Sequence, residues 1–238
     1  RIYILRQHGA PVAAVPVRIV SKPFSRQIES LSNYYTALYA PVVAPSVTAR
    51  ELSVLLSEIR NAHTGVSSFR MAPMDPDAPG FQILMDALRL AKLRPFRFFC
   101  FGNWYLPVKT DCASYLRDRE GQLRSTLKRM GKKFASEGGK FDLIAGGTEL
   151  ERGLAAYKQI YALSWKHPEP YPAFIPGLMR MCAERGWLRL GIAWRDKRPV
   201  AAQLWIVANG KASIYKLAYD QNLKAYAPGS LLTAMLME

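Results

Sequence analysis

The sequence predicts an α+β fold made of two similar halves, each a mostly antiparallel sheet flanked by helices. The tetrapeptide Pro-Val-Ala-Ala occurs at residues 11–14 and again at 199–202, and in both places it follows an apolar strand and a short polar turn. Such internal repetition is the signature of a duplicated structural unit. Between residues 188 and 219, apolar and polar residues alternate as they do in half-buried strands, and runs with helical spacing precede them.

The second half predicts two helices between one strand and a three-stranded meander. Thr148 and Glu151 form a capping-box pattern at the start of the first helix, and Gly186 suits the left-handed position that ends the second. Asn209-Gly210 is a strong hairpin signal because both residues tolerate positive φ. The predicted elements are a strand at 141–145, helices at about 150–165 and 176–185, strands at 188–195, 200–206 and 212–219, and a helix that begins near Gly229.

The first half predicts a helix that opens with a second capping-box pattern, Thr48 and Glu51. A further helix is expected at 81–92, a loop at 71–80 because of its three prolines, and a closing hairpin from strands at 96–101 and 103–108.

A single helix at 113–136 is predicted between the halves and is expected to end at Gly138-Gly139. Its apolar stripe consists of Leu116, Leu123, Leu127, Met130 and Phe134. Its basic face consists of Arg124, Lys128, Arg129, Lys132 and Lys133. The predicted domains are therefore 1–108, a linking helix at 109–139, and 140–238.

Composition limits the class of protein. Half of the 238 residues are hydrophobic, and no apolar run approaches the roughly 18 residues that a membrane-spanning helix needs. Three widely spaced cysteines predict neither a disulfide framework nor a metal knuckle, so a reducing, cytoplasmic location is expected. The formal charge of +15 favours polyanions such as a nucleotide cofactor, RNA, anionic lipid or acidic glycan. Both natural termini are expected to lie outside this chain, which begins in an apparent strand and ends in an apparent helix.

The histidines do not predict a metal centre or a hydrolase. His8, His63 and His167 are the three present, and no HxxxH or HxxE pairing occurs around them. His8 and His63 are interpreted as structural residues of loops or the surface. No metal is expected.

The strongest candidate for a binding site is the segment from Tyr219 to Leu232, in which a strand passes through a polar loop into Pro-Gly and an apolar helix. The first turn of a helix offers backbone N–H groups and the positive end of the helix dipole, and Gly229 would let an anion approach them closely. A phosphate group could bind there. In the alternative interpretation, Pro-Gly only turns the chain and Ser230 caps the helix.

Three segments carry a resemblance to a known family. They are Ser164-Trp165-Lys166, residues 214–220 (Ile-Tyr-Lys-Leu-Ala-Tyr-Asp) and residues 226–232 (Tyr-Ala-Pro-Gly-Ser-Leu-Leu). Together with the order of elements, they resemble GNAT-type N-acetyltransferases of the cellulose-biosynthesis group, which are themselves similar to the FemAB aminoacyltransferases. The resemblance implies tandem GNAT-like halves in one chain, with the second copy truncated after the helix of the cofactor loop.

The resemblance also implies which residues form the site. The expected cofactor-binding residues, with the pantetheine arm near Ala218–Tyr219 and the pyrophosphate at 229–231, are Ala218, Tyr219, Tyr226, Pro228, Gly229, Ser230 and Leu231. The candidates for an acceptor-side or catalytic cluster are Trp165, Lys166, Tyr215 and Lys216. Trp165 is open to a second interpretation as a core anchor of its helix, and Lys216 to one as a solvated strand residue.

The function expected from the resemblance is transfer of an acyl group, with acetyl as the expected group, from acyl-CoA to an amine or hydroxyl of a sugar, amine or peptide acceptor. Polysaccharide or cell-envelope biosynthesis is the implied setting. The acceptor would attack the thioester directly, with backbone N–H groups stabilising the oxyanion. Two alternatives remain: a FemAB-like transferase that uses charged tRNA, and a non-catalytic module that binds nucleic acid through the basic helix.

Overall fold

The computed structural model describes residues 1–23, 25–102 and 104–238, and it has an α+β architecture of mostly antiparallel sheets flanked by helices. The predicted fold class is confirmed. The chain divides into two compact units, residues 1–105 and 106–238. The region predicted as a linking helix falls within the second unit.

The first unit is built on one sheet with two helices. Its elements are β1 (Ile2–Gln7), β2 (Ala10–Lys22), β3 (Ser25–Ser30), β4 (Val42–Val43), α1 (Ala49–Asn61), β5 (Val66–Arg70) and α2 (Pro79–Leu90). The strand order is β1-β2-β3-β5, and β4 also pairs with β2. The pair β3–β5 is parallel and the other pairs are antiparallel. The apolar face of α1 is buried in the core of this unit with α2 and the inner face of the sheet.

Helix α1 begins at the predicted capping box. The Glu51 amide donates to Thr48 Oγ1 at 3.3 Å, and the Thr48 amide donates to Glu51 Oε2 at 2.9 Å. The two bonds satisfy donors that the first turn of a helix otherwise leaves to solvent. The sequence prediction for this terminus is confirmed.

The second unit contains a four-stranded antiparallel sheet and five α-helices. Its elements are α3 (Cys112–Arg117), α4 (Gly121–Ser136), β6 (Gly139–Ile144), α5 (Leu150–Leu163), α6 (Phe174–Glu184), β7 (Leu188–Arg195), β8 (Arg198–Ala208), β9 (Lys211–Tyr219) and α7 (Pro228–Met237). The strand order is β6-β7-β8-β9, which confirms the predicted meander.

Helices α5 and α7 lie on opposite faces of this sheet. A Cβ placed on Gly153 of α5 would lie 2.9 Å from Leu190 of β7, whereas one placed on the next strand residue, Gly191, would lie 2.8 Å from Leu236 of α7. Successive strand residues point to opposite faces. Strand β9 is at the edge of this sheet and contacts both α5 and α7.

The repeated tetrapeptide marks the same hairpin in both units. In each hairpin the two-residue turn has positive φ at both positions, His8-Gly9 and Asp196-Lys197. In each, the proline of the tetrapeptide pairs one step beyond the turn, and a register shift follows immediately. The repeat therefore records a shared local geometry.

The predicted helix at 113–136 is wrong in one respect, because it is two helices, α3 and α4. Asp111 caps α3 by accepting a hydrogen bond of 2.8 Å from the Ser114 amide, and the chain turns at 118–120 before α4 begins. Burial along the predicted stripe rises toward the C-terminus of α4, where Leu123 is 38% exposed and Phe134 only 2%. Only the last turns of α4 are therefore anchored in the core.

The predicted closing hairpin does not form in the described residues. Segments 96–101 and 104–108 contain no strand, and the start of the second predicted strand, Asn103, lies outside the described residues. The aromatic side chains are largely exposed, with Phe98 at 84% and Phe99 at 88%. Strand propensity reflects packing on a half-buried pleated surface, and these side chains lack such a surface within the described residues of their own units.

The capping box predicted from Thr148 and Glu151 is wrong. Thr148 lies in a 3-10 turn, Gly147–Glu149, and α5 starts after it without a side-chain cap. Glu151 is bound instead by Arg180 of α6, whose Nε donates to Glu151 Oε1 at 2.8 Å. The Glu151 carboxylate therefore pairs with Arg180 of α6 and does not accept the hydrogen bond that a capping box requires.

None of the helices in the described ranges is both long and apolar enough to span a membrane.

Candidate active site

The connection from β9 to α7 follows a defined path. Asp220, 2% exposed, accepts hydrogen bonds from the Asn222 amide at 3.0 Å and from Arg198 Nη2 at 3.1 Å. A 3-10 helix, Gln221–Tyr226, follows, and Ala227 then adopts a left-handed conformation with φ of 50°. The buried carboxylate thus holds the loop that leads into α7.

The start of α7 is tied to the sheet through Gln203 of β8. Gln203 is 2% exposed, and its Nε2 donates to the Gly229 carbonyl at 2.9 Å and to Thr233 Oγ1 at 2.8 Å. Its Oε1 accepts a hydrogen bond of 2.8 Å from Trp205 Nε1. Because its amide is used on both sides, Gln203 fixes the distance between β8 and the first turn of α7.

We expect Gln203→Glu to destabilise the second unit by about 1–3 kcal/mol, because a carboxylate cannot donate to the Gly229 carbonyl and is itself buried. Denaturant unfolding followed by tryptophan fluorescence measures the change. Gln122→Glu is the control, since Gln122 is exposed on α4. Equal midpoints for the two variants would show that the amide does not anchor α7.

The first turn of α7 has the features of an anion site. The helix has no side-chain cap and no acidic residue in its first turn, so no side chain of that turn competes for the amides of Gly229 and Ser230. The Leu231 amide already donates to the Ala227 carbonyl at 3.1 Å. Ser230 is exposed, and it makes no capping hydrogen bond, which contradicts the alternative in which it serves only as a cap. Gly229 presents bare backbone close to Tyr219, whose Cδ1 would lie 3.6 Å from an added Cβ. Backbone donors and the helix dipole together favour a negatively charged group here.

The four candidates for the acceptor side lie around the same edge strand. The indole of Trp165, just beyond α5, packs on the Tyr219 ring with centroids 4.8 Å apart. Lys166 Nζ lies 5.7 Å from the centroid of that indole. Lys216 Nζ forms an ion pair of 3.0 Å with Glu169 Oε1, and both side chains are nearly buried, at 12% and 11% exposed. Lys216 is therefore not a solvated strand residue.

Tyr215 is positioned by an irregularity in β9. The β8–β9 register shifts between Leu204 and Trp205, and Tyr215 is the additional residue on β9 between the partners of these two. Bulges of this kind bend a strand and redirect its side chains, and they are frequent next to active sites.

Glu169 belongs to this group although the sequence analysis did not select it. It comes from the loop between α5 and α6, flanked by Pro168 and Pro170. One signal in the sequence could have identified it: Glu169 is the one acidic residue between Glu151 and Glu184. Its place beside Lys216 depends on how the loop folds back onto β9, which local sequence does not specify.

The charges of this group influence one another. Burial lowers the pKa of Lys166, and the Lys216 cation lowers it further, while Glu169 acts in the opposite direction. Burial and the Glu169 charge raise the pKa of Tyr215. Such coupled, partly desolvated groups are typical of functional sites, although structural ion pairs produce them as well.

Tyr219 joins the two parts of the site. One side of its ring contacts Trp165, and its Cδ1 lies beside Gly229 at the start of α7. Tyr219 therefore contacts both Trp165, which follows α5, and the first turn of α7.

Other predicted cofactor residues are placed differently. The Tyr226 hydroxyl donates to Glu137 Oε2 at 2.6 Å, and its ring lies between Lys133 and Arg195, at 4.7 and 4.8 Å from the centroid. The bond to Glu137 raises the pKa of Tyr226. Tyr226 thus fastens the loop to α4 and β7. Three of the predicted residues are buried, namely Ala218, Pro228 and Leu231. Pro228 has no N–H group, and the Leu231 N–H donates to the Ala227 carbonyl at 3.1 Å.

No cluster of three or more histidine, cysteine, aspartate or glutamate residues that could hold a metal occurs in residues 1–23, 25–102 and 104–238. His8 is exposed in the β1–β2 turn, and His167 is exposed between α5 and α6. His63 is buried and contacts the Tyr3 hydroxyl.

Comparison with known families indicates the general class of this protein. A family model described as an acetyltransferase (GNAT) domain matches residues 121–238, just under half of the chain. The match supports placing this region in the GNAT superfamily and supports acyltransferase activity in general. Among curated proteins, none matches the sequence.

Among solved structures, one similar chain is the C-terminal domain of a protein of Agrobacterium fabrum described as a lysylphosphatidylglycerol synthetase. The two share 13% sequence identity and superpose with a TM-score of 0.49. The match covers 99% of this chain and 65% of that one. This chain thus corresponds to about two thirds of that domain's length.

Proposed function

We propose that this protein is an acyltransferase that moves an acyl group from acyl-CoA to an amine or hydroxyl of an acceptor. Acetyl is the acyl group that we propose. The observation that carries the proposal is the position of Tyr219, which joins an uncapped helix start to a partly buried group of titratable side chains. One part suits a phosphate group and the other suits proton transfer.

In this proposal the first turn of α7 holds the pyrophosphate of acyl-CoA through the backbone N–H groups of Gly229 and Ser230. Leu231 lies next to them, and its own N–H donates to the Ala227 carbonyl. The pantetheine arm lies along the backbone of Ala218–Tyr219 at the edge of β9. Gly229 supports this assignment because the absence of a Cβ keeps the space beside Tyr219 open. The net charge of +15 favours the approach of a polyanionic substrate.

The chemistry proposed is direct transfer. The acceptor nitrogen or oxygen attacks the thioester carbonyl, the carbon–sulfur bond breaks, and CoA leaves as its thiol once it takes up a proton. Backbone N–H groups stabilise the oxyanion that forms in between. Glu169 is proposed to take the acceptor proton, directly or through water, because it is the carboxylate of the group around β9.

Incubation of the protein with acetyl-CoA and separate pools of amino sugars, amino acids and short peptides tests the activity. We expect CoA release that depends on an acceptor, together with an acetylated product identified by its mass. Acetyl-CoA turnover that stays at the spontaneous rate with every pool, without saturable binding, would contradict the proposal. The resemblance of sequence motifs supports a sugar or peptide of polysaccharide or cell-envelope biosynthesis, made in the cytoplasm, as the natural acceptor.

One observation favours a second candidate, a FemAB-like transferase that uses charged tRNA, or a module that binds nucleic acid without catalysis. The basic face of α4 is exposed at all five positions, namely Arg124, Lys128, Arg129, Lys132 and Lys133. Such a face can bind a phosphate backbone, with an affinity that falls steeply as salt is added. Salt-dependent tRNA binding that Lys128→Glu weakens, in a protein that does not bind acetyl-CoA, would favour this candidate.

A further inference from the structure

The lysine cluster, formed by Lys166, Glu169 and Lys216, contains more positive than negative charge. The carboxylate of Glu169 is paired with Lys216 at 3.0 Å. Among the described residues, no carboxylate oxygen lies within 4 Å of Lys166 Nζ, whose contact is with the face of Trp165. The cluster therefore contains two ammonium groups and one carboxylate.

This excess charge is partly removed from water. Burial is the main reason that the pKa of Lys166 is lowered, and Lys216 adds to the effect. A desolvated cation without a full partner is costly, and a ligand anion that supplies the second negative charge would offset that cost. The ion pair of Lys216 with Glu169 is nearly buried, so Glu169 is held in place and is not free to neutralise Lys166 instead.

We propose that the lysine cluster binds a carboxylate or phosphate group of the acceptor, so that the substrate of this transferase is an anionic amine or alcohol. The inference rests on the proposed function and narrows its acceptor to one chemical class. Lys166 would supply the charge-assisted hydrogen bonds to the anion. The half-exposed indole of Trp165, at 49%, would lie under the body of the same acceptor.

The anion site can be tested without any catalytic activity. The protein is labelled with isotopic acetic anhydride, which reacts with uncharged amines, in millimolar inorganic phosphate, acetate or chloride at equal ionic strength. We expect phosphate or acetate to reduce labelling of Lys166 about tenfold relative to chloride, because the bound anion keeps the amine protonated and covered. Lys158, exposed on α5, is the internal control and should label equally in all three salts. Equal labelling of Lys166 in the three salts would overturn the proposal.

The acceptor class is tested with matched pairs that share one amine, β-alanine against β-alaninamide and phosphoethanolamine against ethanolamine. We expect kcat/KM to favour the charged member of at least one pair by about tenfold, and Lys166→Met to remove that preference. The pair that responds distinguishes a carboxylate from a phosphate. Lys158→Met should keep the preference of the wild type.

The outcomes separate this inference from the proposed function. Transfer without any preference for charged acceptors overturns the inference about the anion site, but it agrees with the proposed acyltransferase function. Selective protection of Lys166 without transfer to any acceptor contradicts the proposed function and supports the anion site.

Discussion

Gly229→Glu is expected to weaken acetyl-CoA binding by about 100-fold or more, equivalent to about 3 kcal/mol. A carboxylate in the first turn of α7 would occupy the N–H groups proposed for the pyrophosphate and would repel it. The same substitution should not harm folding, because an acidic residue near a helix N-terminus interacts favourably with the dipole. An added Cβ at this position meets Tyr219 at an ordinary contact distance of 3.6 Å.

Two control variants separate charge from size. Gly229→Gln has the same shape without the charge and should lose much less affinity, and Gly229→Ala should bind within a few-fold of the wild type. Isothermal titration of acetyl-CoA into the three variants gives the comparison. Wild-type affinity in Gly229→Glu would exclude the first turn of α7 as the pyrophosphate site.

Phe134→Ala is expected to have the largest effect on stability, lowering the free energy of unfolding of the second unit by about 3–5 kcal/mol. Phe134 is 2% exposed and packs against Phe141, with ring centroids 5.2 Å apart. Its ring contacts the backbone of Gly139 so closely that a Cβ could not be accommodated there. It also belongs to the cluster that contains Leu231 and Leu232 of α7, so its loss loosens the proposed cofactor helix.

Leu123→Ala is the matched control, since Leu123 lies on the same stripe of α4 but is 38% exposed. It should cost less than about 1 kcal/mol. Urea unfolding monitored by tryptophan fluorescence suits the test, because four of the five tryptophans, Trp165, Trp187, Trp194 and Trp205, belong to the second unit. Similar costs for the two variants would contradict the gradient of burial along the helix.

Local signals in the sequence predicted much of the fold. The Thr48–Glu51 capping box and the Asn209-Gly210 turn act within a few residues, and both are present as predicted. The repeated tetrapeptide also identified a shared hairpin, because its proline has a fixed place next to the turn. Patterns of this kind depend on backbone conformation and short-range bonds.

The candidate site could be predicted only in part. The motifs predicted Trp165, Lys166, Tyr215 and Lys216 as site residues, and in the structure these residues lie around one edge strand, β9. Glu169 was missed because its loop reaches β9 only through tertiary contacts. The failed capping box at Glu151 has the same cause, since the carboxylate is bound by a residue of α6. Long-range pairing of charges leaves little trace in one sequence.

The most direct test of the account is a titration of acetyl-CoA followed by amide chemical shifts in the NMR spectrum. We expect saturable shifts, the largest at the amides of Gly229, Ser230 and Leu231, with smaller shifts at Ala218 and Tyr219. Saturable binding whose largest shifts lie elsewhere, or the absence of binding at millimolar acetyl-CoA, would contradict the assignment of the first turn of α7 as the acyl-CoA site.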